Sequence, residues 1–244
     1  MNSGKQSTKG SLYLIPTTLG KTPENNTIPD FVLRKIRELD FFVVENIKSA
    51  VRYLQWVGDT VPEYEIEFRV LNKKTPVHEI TSFLKPLKDG TDVGLMSEAG
   101  CPAVADPGSE LVRLAHSSGI RVVPMVGPSS ILLALMASGM NGQQFAFHGY
   151  LPIDSAARRR QLRKLEQESM QNNRTQIFME APQRNDALLN DILESCHPET
   201  RFCTATNLTL PDEQVISRSI DDWRKSEEIA LGKNPTLFLL HRSP

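Results

Sequence analysis

The stretch from residue 91 to residue 139 decides the fold, and it reads TDVGLMSEAGCPAVADPGSELVRLAHSSGIRVVPMVGPSSILLALMASG. Two short apolar runs, 93–96 and 120–126, each end at a loop rich in glycine and proline, as buried strands do. Each loop leads into a segment with helical periodicity that ends at Gly119 or Gly139, which is typical of helix C-termini. Because strand and helix alternate twice, the stretch predicts an α/β fold with a parallel sheet and right-handed crossovers.

The two loops of this stretch, 97–108 and 127–130, are the predicted ligand site. Ligands of open parallel sheets bind outside the carboxyl ends of the strands, where both loops lie. The Asp106–Pro107 pair is expected to start one helix, and Ser129 or Ser130 the next, so that free N–H groups face an anionic group. Such a site suits a ligand that has an amino-acid end and no phosphates.

The rest of the chain predicts two α/β domains with a cleft between them. Strand and helix patterns continue on both sides of the central stretch, and the polar turn around Pro124–Ser129 is the best boundary. We therefore expect a flexible tail at 1–10, an N-terminal α/β domain at 11–126 and a C-terminal α/β domain at 127–244.

Composition and motifs exclude several classes of protein. The net charge of −1 argues against a strongly basic nucleic-acid binder, and no apolar run approaches membrane-spanning length. Three cysteines without a CxxC pair indicate a reducing, cytoplasmic compartment and no metal site, and Cys196-His197 is interpreted as structural or incidental. Gly20-Lys21-Thr22 ends like a nucleotide-binding P-loop, but the earlier glycine is missing and Pro23 follows, so a strand-end loop is favoured.

Seven motifs together resemble the tetrapyrrole methylase superfamily. They are IPTTLG (15–20), VEN (44–46), SEAGCPAVADPGSELVRLA (97–115), VPMVGPSSILLALMASG (123–139), FHGYLP (147–152), FMEAPQR (178–184) and NPTLFLL (234–240). Within the superfamily the chain is most similar to enzymes that methylate a ribose 2′-hydroxyl of 16S rRNA. The resemblance covers residues 12–241. It implies two α/β domains, S-adenosylmethionine in the cleft between them, S-adenosylhomocysteine as product, and a homodimer.

The resemblance also implies which residues hold the cofactor. The set comes from the first loop, the main loop, the interdomain loop and the strands of the second domain that close over the adenosyl part. These residues are Pro16, Ser97, Glu98, Ala99, Gly100, Cys101, Pro102, Val104, Ser129, Ser130, Met179, Ala205, Pro235, Thr236 and Leu237. For the apolar members in the second domain, a place in the core is an equally good explanation.

The resemblance names no catalytic residue. A ribose hydroxyl is a poor nucleophile, so transfer to it would benefit from a base, and Glu45 and Glu98 at predicted strand ends are candidates. For Glu98, orienting the cofactor is the preferred role. Residues 158–164, which hold five basic side chains, could bind RNA phosphates, but Glu166 and Glu168 follow at helical spacing and favour a solvated helix face.

Three segments differ from the pattern that is usual in the rRNA enzymes. Their EDTR is replaced by ENIK at 45–48, their SDAGTP by SEAGCP at 97–102, and their ARELTK by ATNLTL at 205–210. The last change removes two positive charges and one negative charge, and positive charge holds an RNA backbone. The predicted function is an S-adenosylmethionine-dependent methyltransferase acting on 16S rRNA or the small ribosomal subunit. A tetrapyrrole or corrin precursor is the alternative acceptor, and a cofactor-binding protein without a substrate site is the other alternative.

Overall fold

The computed structural model describes residues 9–22, 25–226 and 230–243. Across these ranges, every helix is either too short or too polar to cross a membrane. The chain separates into two compact units, Met1–Pro128 and Ser129–Pro244.

The beginning of the first unit bears on the predicted tail. Residues 1–8 lie outside the described residues. Gly10 is buried, and its N–H donates to the carbonyl of Leu87 at 2.8 Å. Lys9 donates from Nζ to the Ser118 carbonyl at 2.7 Å. Both residues therefore contact the body of the unit.

A five-stranded parallel sheet forms the centre of the first unit, as the central stretch predicts. Its strands are β1 (Ser11–Ile15), β2 (Phe41–Val44), β3 (Glu67–Val70), β4 (Val93–Met96) and β5 (Arg121–Pro124). They lie in the order β3-β2-β4-β1-β5, and all neighbours run parallel. The register pairs Leu12 with Val93 on one side and with Val122 on the other.

Helices cover both faces of this sheet. They are α1 (Asp30–Arg37), α2 (Ile47–Val57), α3 (Val77–Ser82), α4 (Leu84–Lys88) and α5 (Ser109–Ser117). Side chains alternate along a strand, so Phe41 and Val43 join one apolar cluster with α3, α4 and α5. Phe42 and Val44 join the other cluster with α1 and α2. The sheet is thus buried on both faces, which leaves its carboxyl edge as the place for a site.

The predicted start of α5 is wrong. The helix begins at Ser109 after Gly108, whose φ of 139° is open only to glycine, and no side chain of the described residues caps it. Asp106 and Pro107 therefore belong to the preceding loop. The Asp106–Pro107 pair does not start the helix, because the loop after β4 extends two residues further than the sequence pattern indicates.

The second unit contains a mixed five-stranded sheet and four helices among its described residues. Its strands are β6 (Phe145–Tyr150), β7 (Thr175–Met179), β8 (Arg201–Thr206), β9 (Gln214–Ser219) and β10 (Thr236–His241). Its helices are α6 (Ser130–Ser138), α7 (Ser155–Asn172), α8 (Asn185–Ser195) and α9 (Ile220–Lys225). The strand order is β6-β7-β10-β8-β9, in which only β6 and β7 run parallel. Stacked rings of Phe178, Phe238 and Phe202 form the centre of its core.

Candidate functional site

The carboxyl edge of the first sheet carries the candidate site. Because all five strands run parallel, the loops that follow them leave from this one edge. In sheet order these loops contribute Lys73 after β3, Glu45 after β2, Ser97 after β4, Pro16 after β1 and Val126 after β5. The predicted residues Pro16 and Ser97 therefore leave from neighbouring strands.

The loop after β4 is tightly wound. Gly100 has φ 74°, and Ala103 and Ala105 both have φ 64°, in the left-handed region that alanine enters at a cost of roughly 1 kcal/mol each. The hydroxyl of Ser97 donates to the carbonyls of Ala99 and Gly100 at 3.4 and 3.5 Å. Strained backbone of this kind is concentrated at functional sites. A valine at Gly100 would be strained even without a ligand, so that replacement would test the loop as well as the site.

Backbone contacts join this loop to the loop after β1. The N–H of Thr17 donates to the carbonyl of Gly100 at 2.9 Å, and the Thr17 hydroxyl donates to the Ser97 carbonyl at 3.5 Å. The thiol of Cys101 donates to the Pro128 carbonyl at 3.5 Å. The structure thus brings together Pro16 and the residues 97–102, which the resemblance assigned to one site.

Helix α2 holds the first loop at both ends. The hydroxyl of Tyr53 donates to the Pro16 carbonyl at 2.9 Å, and the indole N–H of Trp56 donates to the Thr22 carbonyl at 3.0 Å. The two rings stack with centroids 5.6 Å apart. The side chain of Asn46 caps the helix by accepting from the N–H groups of residues 48 and 49. Capping fixes the helix start and therefore the loop that the helix holds.

A cavity of about 450 Å3 lies between these three segments of the first unit. It is lined by the first loop (residues 17–22), by one face of α2 and by residues 96–99. The α2 residues that line it include Ser49, Arg52, Tyr53 and Trp56. Sequence reasoning missed all four, although their spacing of i, i+3, i+4 and i+7 marks one helix face. The predicted residues Ser97, Glu98 and Ala99 line the same cavity.

A chain of polar contacts positions Glu98 in the cavity. The Ser49 hydroxyl donates to Glu98 Oε1 at 2.8 Å. Arg52 donates from Nη2 to Ser49 Oγ at 3.3 Å. Among the described residues, Oε2 of Glu98 accepts no hydrogen bond from a side chain. The carboxylate is therefore oriented by one oxygen while the other remains available to a ligand.

Negative charge gathers at this edge of the sheet. Burial raises the pKa of Glu45, and the carboxylates of Asp106 and Glu98 raise it further. Burial also raises the pKa of Asp106, and the Glu98 carboxylate adds to this, while Lys73 acts in the opposite direction. These carboxylates repel one another, so a cation bound among them would be stabilised. Within the described ranges, no group of three or more His, Cys, Asp or Glu side chains is arranged to hold a metal ion.

In the second unit, three predicted residues form one row across the sheet. The register pairs Leu237 of β10 with Met179 of β7 and with Ala205 of β8. Ala205, Thr236 and Leu237 are buried, while Pro235 just before β10 is exposed. Ser129 precedes α6 without a side-chain capping bond, and Ser130 is its first residue.

A buried polar cluster lies next to this row. The hydroxyls of Thr206 and Thr236 are 3.1 Å apart, and the side-chain amide of Asn185 donates to the Asn234 carbonyl at 2.8 Å. Oδ1 of Asn185 is buried and has no hydrogen-bond partner among the described residues. A buried amide oxygen without a partner costs roughly 1–3 kcal/mol.

Comparisons with known proteins place the chain in a family. The sequence profile described as Tetrapyrrole (Corrin/Porphyrin) Methylases matches residues 31–223. The chain belongs to this methylase family. A curated relative from Pseudomonas aeruginosa, "Ribosomal RNA small subunit methyltransferase I", is 33% identical over 221 residues, which cover 89% of this chain and 74% of the relative. The protein is therefore a methyltransferase.

Solved structures with the same fold extend over nearly the whole methylase. The methyltransferase CobJ aligns with a TM-score of 0.60 at 17% identity and covers 96% of this chain and 94% of its own. Uroporphyrin-III C-methyltransferase from Thermus thermophilus, solved with S-adenosylhomocysteine, aligns with a TM-score of 0.53 at 16% identity. The alignment covers 96% of this chain and 98% of that enzyme. At these identities the likeness shows the fold of two α/β units.

The basic segment of the methylase differs from its predicted solvated face. Arg158 is only 4% exposed and forms a buried ion pair with Asp191. Arg159 donates to Asp191 at 2.6 Å and pairs with Glu194. The spacing of Glu166 and Glu168 could not indicate this ion pair, because the carboxylate that pairs with Arg158 lies on α8. Two of the arginines therefore hold α7 to α8.

Cys101→Ser in the methylase should be nearly silent. Burial raises the pKa of the Cys101 thiol, which keeps it protonated and unreactive at neutral pH. A serine hydroxyl can still donate to the Pro128 carbonyl. We expect a change in unfolding free energy within about 0.5 kcal/mol and unchanged methyl transfer. Thermal unfolding and a transfer assay check this, and loss of activity would show that the sulfur itself is needed.

Gly127→Ala should disturb the first loop of the methylase. A Cβ at this position would lie 2.3 Å from Cβ and 2.4 Å from Cγ of Pro16, and a proline ring cannot rotate away. We expect a loss of about 1–3 kcal/mol in unfolding free energy. Gly142→Ala is the matched control, since no atom of the described residues lies within 4 Å of its added carbon. Equal stability of the two variants in denaturant titrations would contradict the prediction.

Proposed function

We propose that this methylase transfers the methyl group of S-adenosylmethionine to a ribose 2′-hydroxyl of RNA, with 16S rRNA in the small ribosomal subunit as the acceptor. The observation that carries the proposal is the identity of 33% with a protein named for small-subunit rRNA, over 89% of this chain. The cavity beside residues 96–99 supports it, because the hydroxyl of Ser49 and the cations Lys21 and Arg52 in its lining can contact the ribose and phosphate groups of an RNA acceptor.

The chemistry of the carboxyl edge fits the proposed cofactor. S-adenosylmethionine carries a sulfonium and an ammonium group, and the mutually repelling carboxylates of Glu45, Glu98 and Asp106 favour nearby cations. The wound loop at 97–102 presents backbone carbonyl and N–H groups to an amino-acid end.

These observations support a specific set of residues for the cofactor. In the first unit we propose Pro16, residues 97–102 and Val104. In the second unit we propose Ser129, Ser130 and the row formed by Met179, Ala205 and residues 235–237.

When bound, the cofactor supplies a methyl carbon that its sulfonium makes electrophilic. The protein must hold the acceptor oxygen in line and take its proton. We assign Glu98 as the base that accepts this proton, because Ser49 fixes one of its carboxylate oxygens and leaves the other free inside the cavity. The sequence favoured a cofactor-orienting role for this residue, and the kinetics of a Glu98→Gln variant separate the two roles.

We further propose that the transfer needs no metal ion, since the sulfonium already activates the methyl group. We also propose a homodimer in the cytoplasm, as the family resemblance implies. On α6, Leu132 and Met136 lie one turn apart and are 51% and 78% exposed, and this apolar face suits contact with a second copy. Light scattering on the wild type and on Met136→Glu tests the dimer, which the charged variant should weaken.

The direct test supplies labelled S-adenosylmethionine with small ribosomal subunits that lack the 2′-O-methyl mark, and in parallel with tetrapyrrole precursors. Label in a ribose of 16S rRNA supports the proposal. Label in the tetrapyrrole alone would replace RNA with the alternative acceptor. Calorimetry with S-adenosylmethionine and S-adenosylhomocysteine, with and without a chelator, tests the cofactor and the absence of a metal requirement, and no heat with either ligand would reject the cofactor.

A further inference from the structure

The cavity of the first unit has the size and lining of a nucleotide site. Its volume of about 450 Å3 falls in the range of small-molecule pockets, roughly 300–1,000 Å3. Hydroxyls of Thr17, Thr18 and Ser49 line it together with the Glu98 carboxylate. An acceptor held here would lie against the loop at 97–99, which we propose as part of the cofactor site.

The negative charge at the carboxyl edge of the first sheet opposes the binding of RNA. Glu45, Glu98 and Asp106 would repel backbone phosphates, so affinity for RNA requires cations close by. In the second unit, Arg158 and Arg159 are paired with carboxylates of α8. Those two side chains are therefore not available to phosphates, and other cations are needed.

Two cations in the lining of the cavity meet this need. Lys21 in the first loop and Arg52 on α2 both line the cavity, and both are exposed. Among the described residues, neither forms an ion pair. Arg52 donates to the Lys48 carbonyl and to Ser49 Oγ, both at 3.3 Å, which leaves further guanidinium N–H groups for a phosphate.

We propose that Lys21 and Arg52 bind the backbone phosphates that flank the nucleotide in this cavity, and so select RNA as the acceptor. The inference rests on the proposed function, and it assigns the selection of the acceptor to the first unit. The positive charge that the 205–210 segment lacks would then be supplied by the first loop and α2.

The test measures binding of unmarked small ribosomal subunits in the presence of S-adenosylhomocysteine over a series of salt concentrations. Removing two phosphate contacts with Lys21→Ala/Arg52→Ala should weaken binding roughly tenfold. It should also reduce the slope of log affinity against log salt by about 1.4, at roughly 0.7 for each contact to single-stranded RNA. Affinity for S-adenosylhomocysteine should not change. Arg52→Lys keeps the charge and should restore most of the affinity that Arg52→Ala loses.

Arg160→Ala/Arg163→Ala is the matched control, because it removes two exposed cations from α7 in the second unit. It should bind like the wild type. The inference is overturned if Lys21→Ala/Arg52→Ala keeps the wild-type affinity and salt slope, or if the control loses as much. Either result would leave methyl transfer to RNA by the wild type intact, whereas failure of that transfer would instead reject the proposed function.

Discussion

Replacing Asp191 by alanine should destabilise the second unit by about 3–5 kcal/mol. Asp191 is 3% exposed, and it accepts from Ser155 at 2.8 Å, from Arg158 Nε at 2.7 Å and from Arg159 at 2.6 Å. Its removal would leave the guanidinium of Arg158, which is 4% exposed, without a countercharge. Such a buried charge is far more costly than the loss of a surface pair. Denaturant titration of the full chain measures the change.

Glu194→Ala is the control for this prediction. Glu194 pairs with Arg159 at 2.5 Å, but its side chain is 58% exposed, so the loss should stay within about 1 kcal/mol. Similar losses from the two variants would show that the pair with Arg158 contributes little.

The same pair predicts a dependence on pH. Burial tends to raise the pKa of Asp191, but hydrogen bonds from Arg159, Ser155 and Arg158 outweigh it and lower the pKa. An acid with a lowered pKa in the folded state adds stability above its unfolded pKa, near 4, and loses it as the pH falls through the folded value. The gap in stability between the wild type and Asp191→Ala should therefore narrow in acid. A difference in unfolding free energy that stays the same from neutral to acid pH would contradict the lowered pKa of Asp191.

Replacing Glu98 by glutamine should lower kcat by about 10²-fold. Glutamine keeps the size of the side chain and can still accept from the Ser49 hydroxyl, but it cannot take a proton from the acceptor. The affinity for S-adenosylmethionine, measured by calorimetry, should fall much less than kcat, because the backbone of the loop at 97–102 and the carboxylates of Glu45 and Asp106 remain.

Two outcomes would contradict this role of Glu98. If the cofactor affinity falls while kcat is kept, Glu98 orients the cofactor, as the sequence favoured. If Glu45→Gln loses kcat instead, the base is the carboxylate after β2. Glu110→Gln is the silent control, because Glu110 pairs with Arg113 in α5.

Much of the first unit could be predicted because its signals are local. The apolar runs at 93–96 and 120–126, with their loops and glycines, predict two of the parallel strands and the site at their ends. In the structure the second strand is shorter than the run and spans Arg121–Pro124, the residues that pair with β1. The start of α5 could not be predicted, because the left-handed residues Ala103 and Ala105 carry no sequence signal for their conformation.

The missed part of the site depends on contacts between distant segments. Ser49 and Glu98 are 49 residues apart, and Tyr53 reaches a carbonyl 37 residues away. Periodicity shows that Tyr53 and Trp56 share a helix face, but not that their polar atoms fix a loop. The buried pair of Arg158 and Asp191 was missed for the same reason, since its members lie on different helices.

The indole of Trp56 makes the first loop optically observable. The sequence has two tryptophans, and the other, Trp223, is buried in the core of the second unit with its N–H donating to the Phe202 carbonyl at 3.0 Å. Trp56 is partly exposed, lines the cavity and donates to the loop carbonyl of Thr22. Its emission would therefore respond to an occupant of the cavity while Trp223 gives a constant background. Acceptor arrival and departure can be timed by stopped-flow fluorescence on the unlabelled protein, with Trp223→Phe to remove that background.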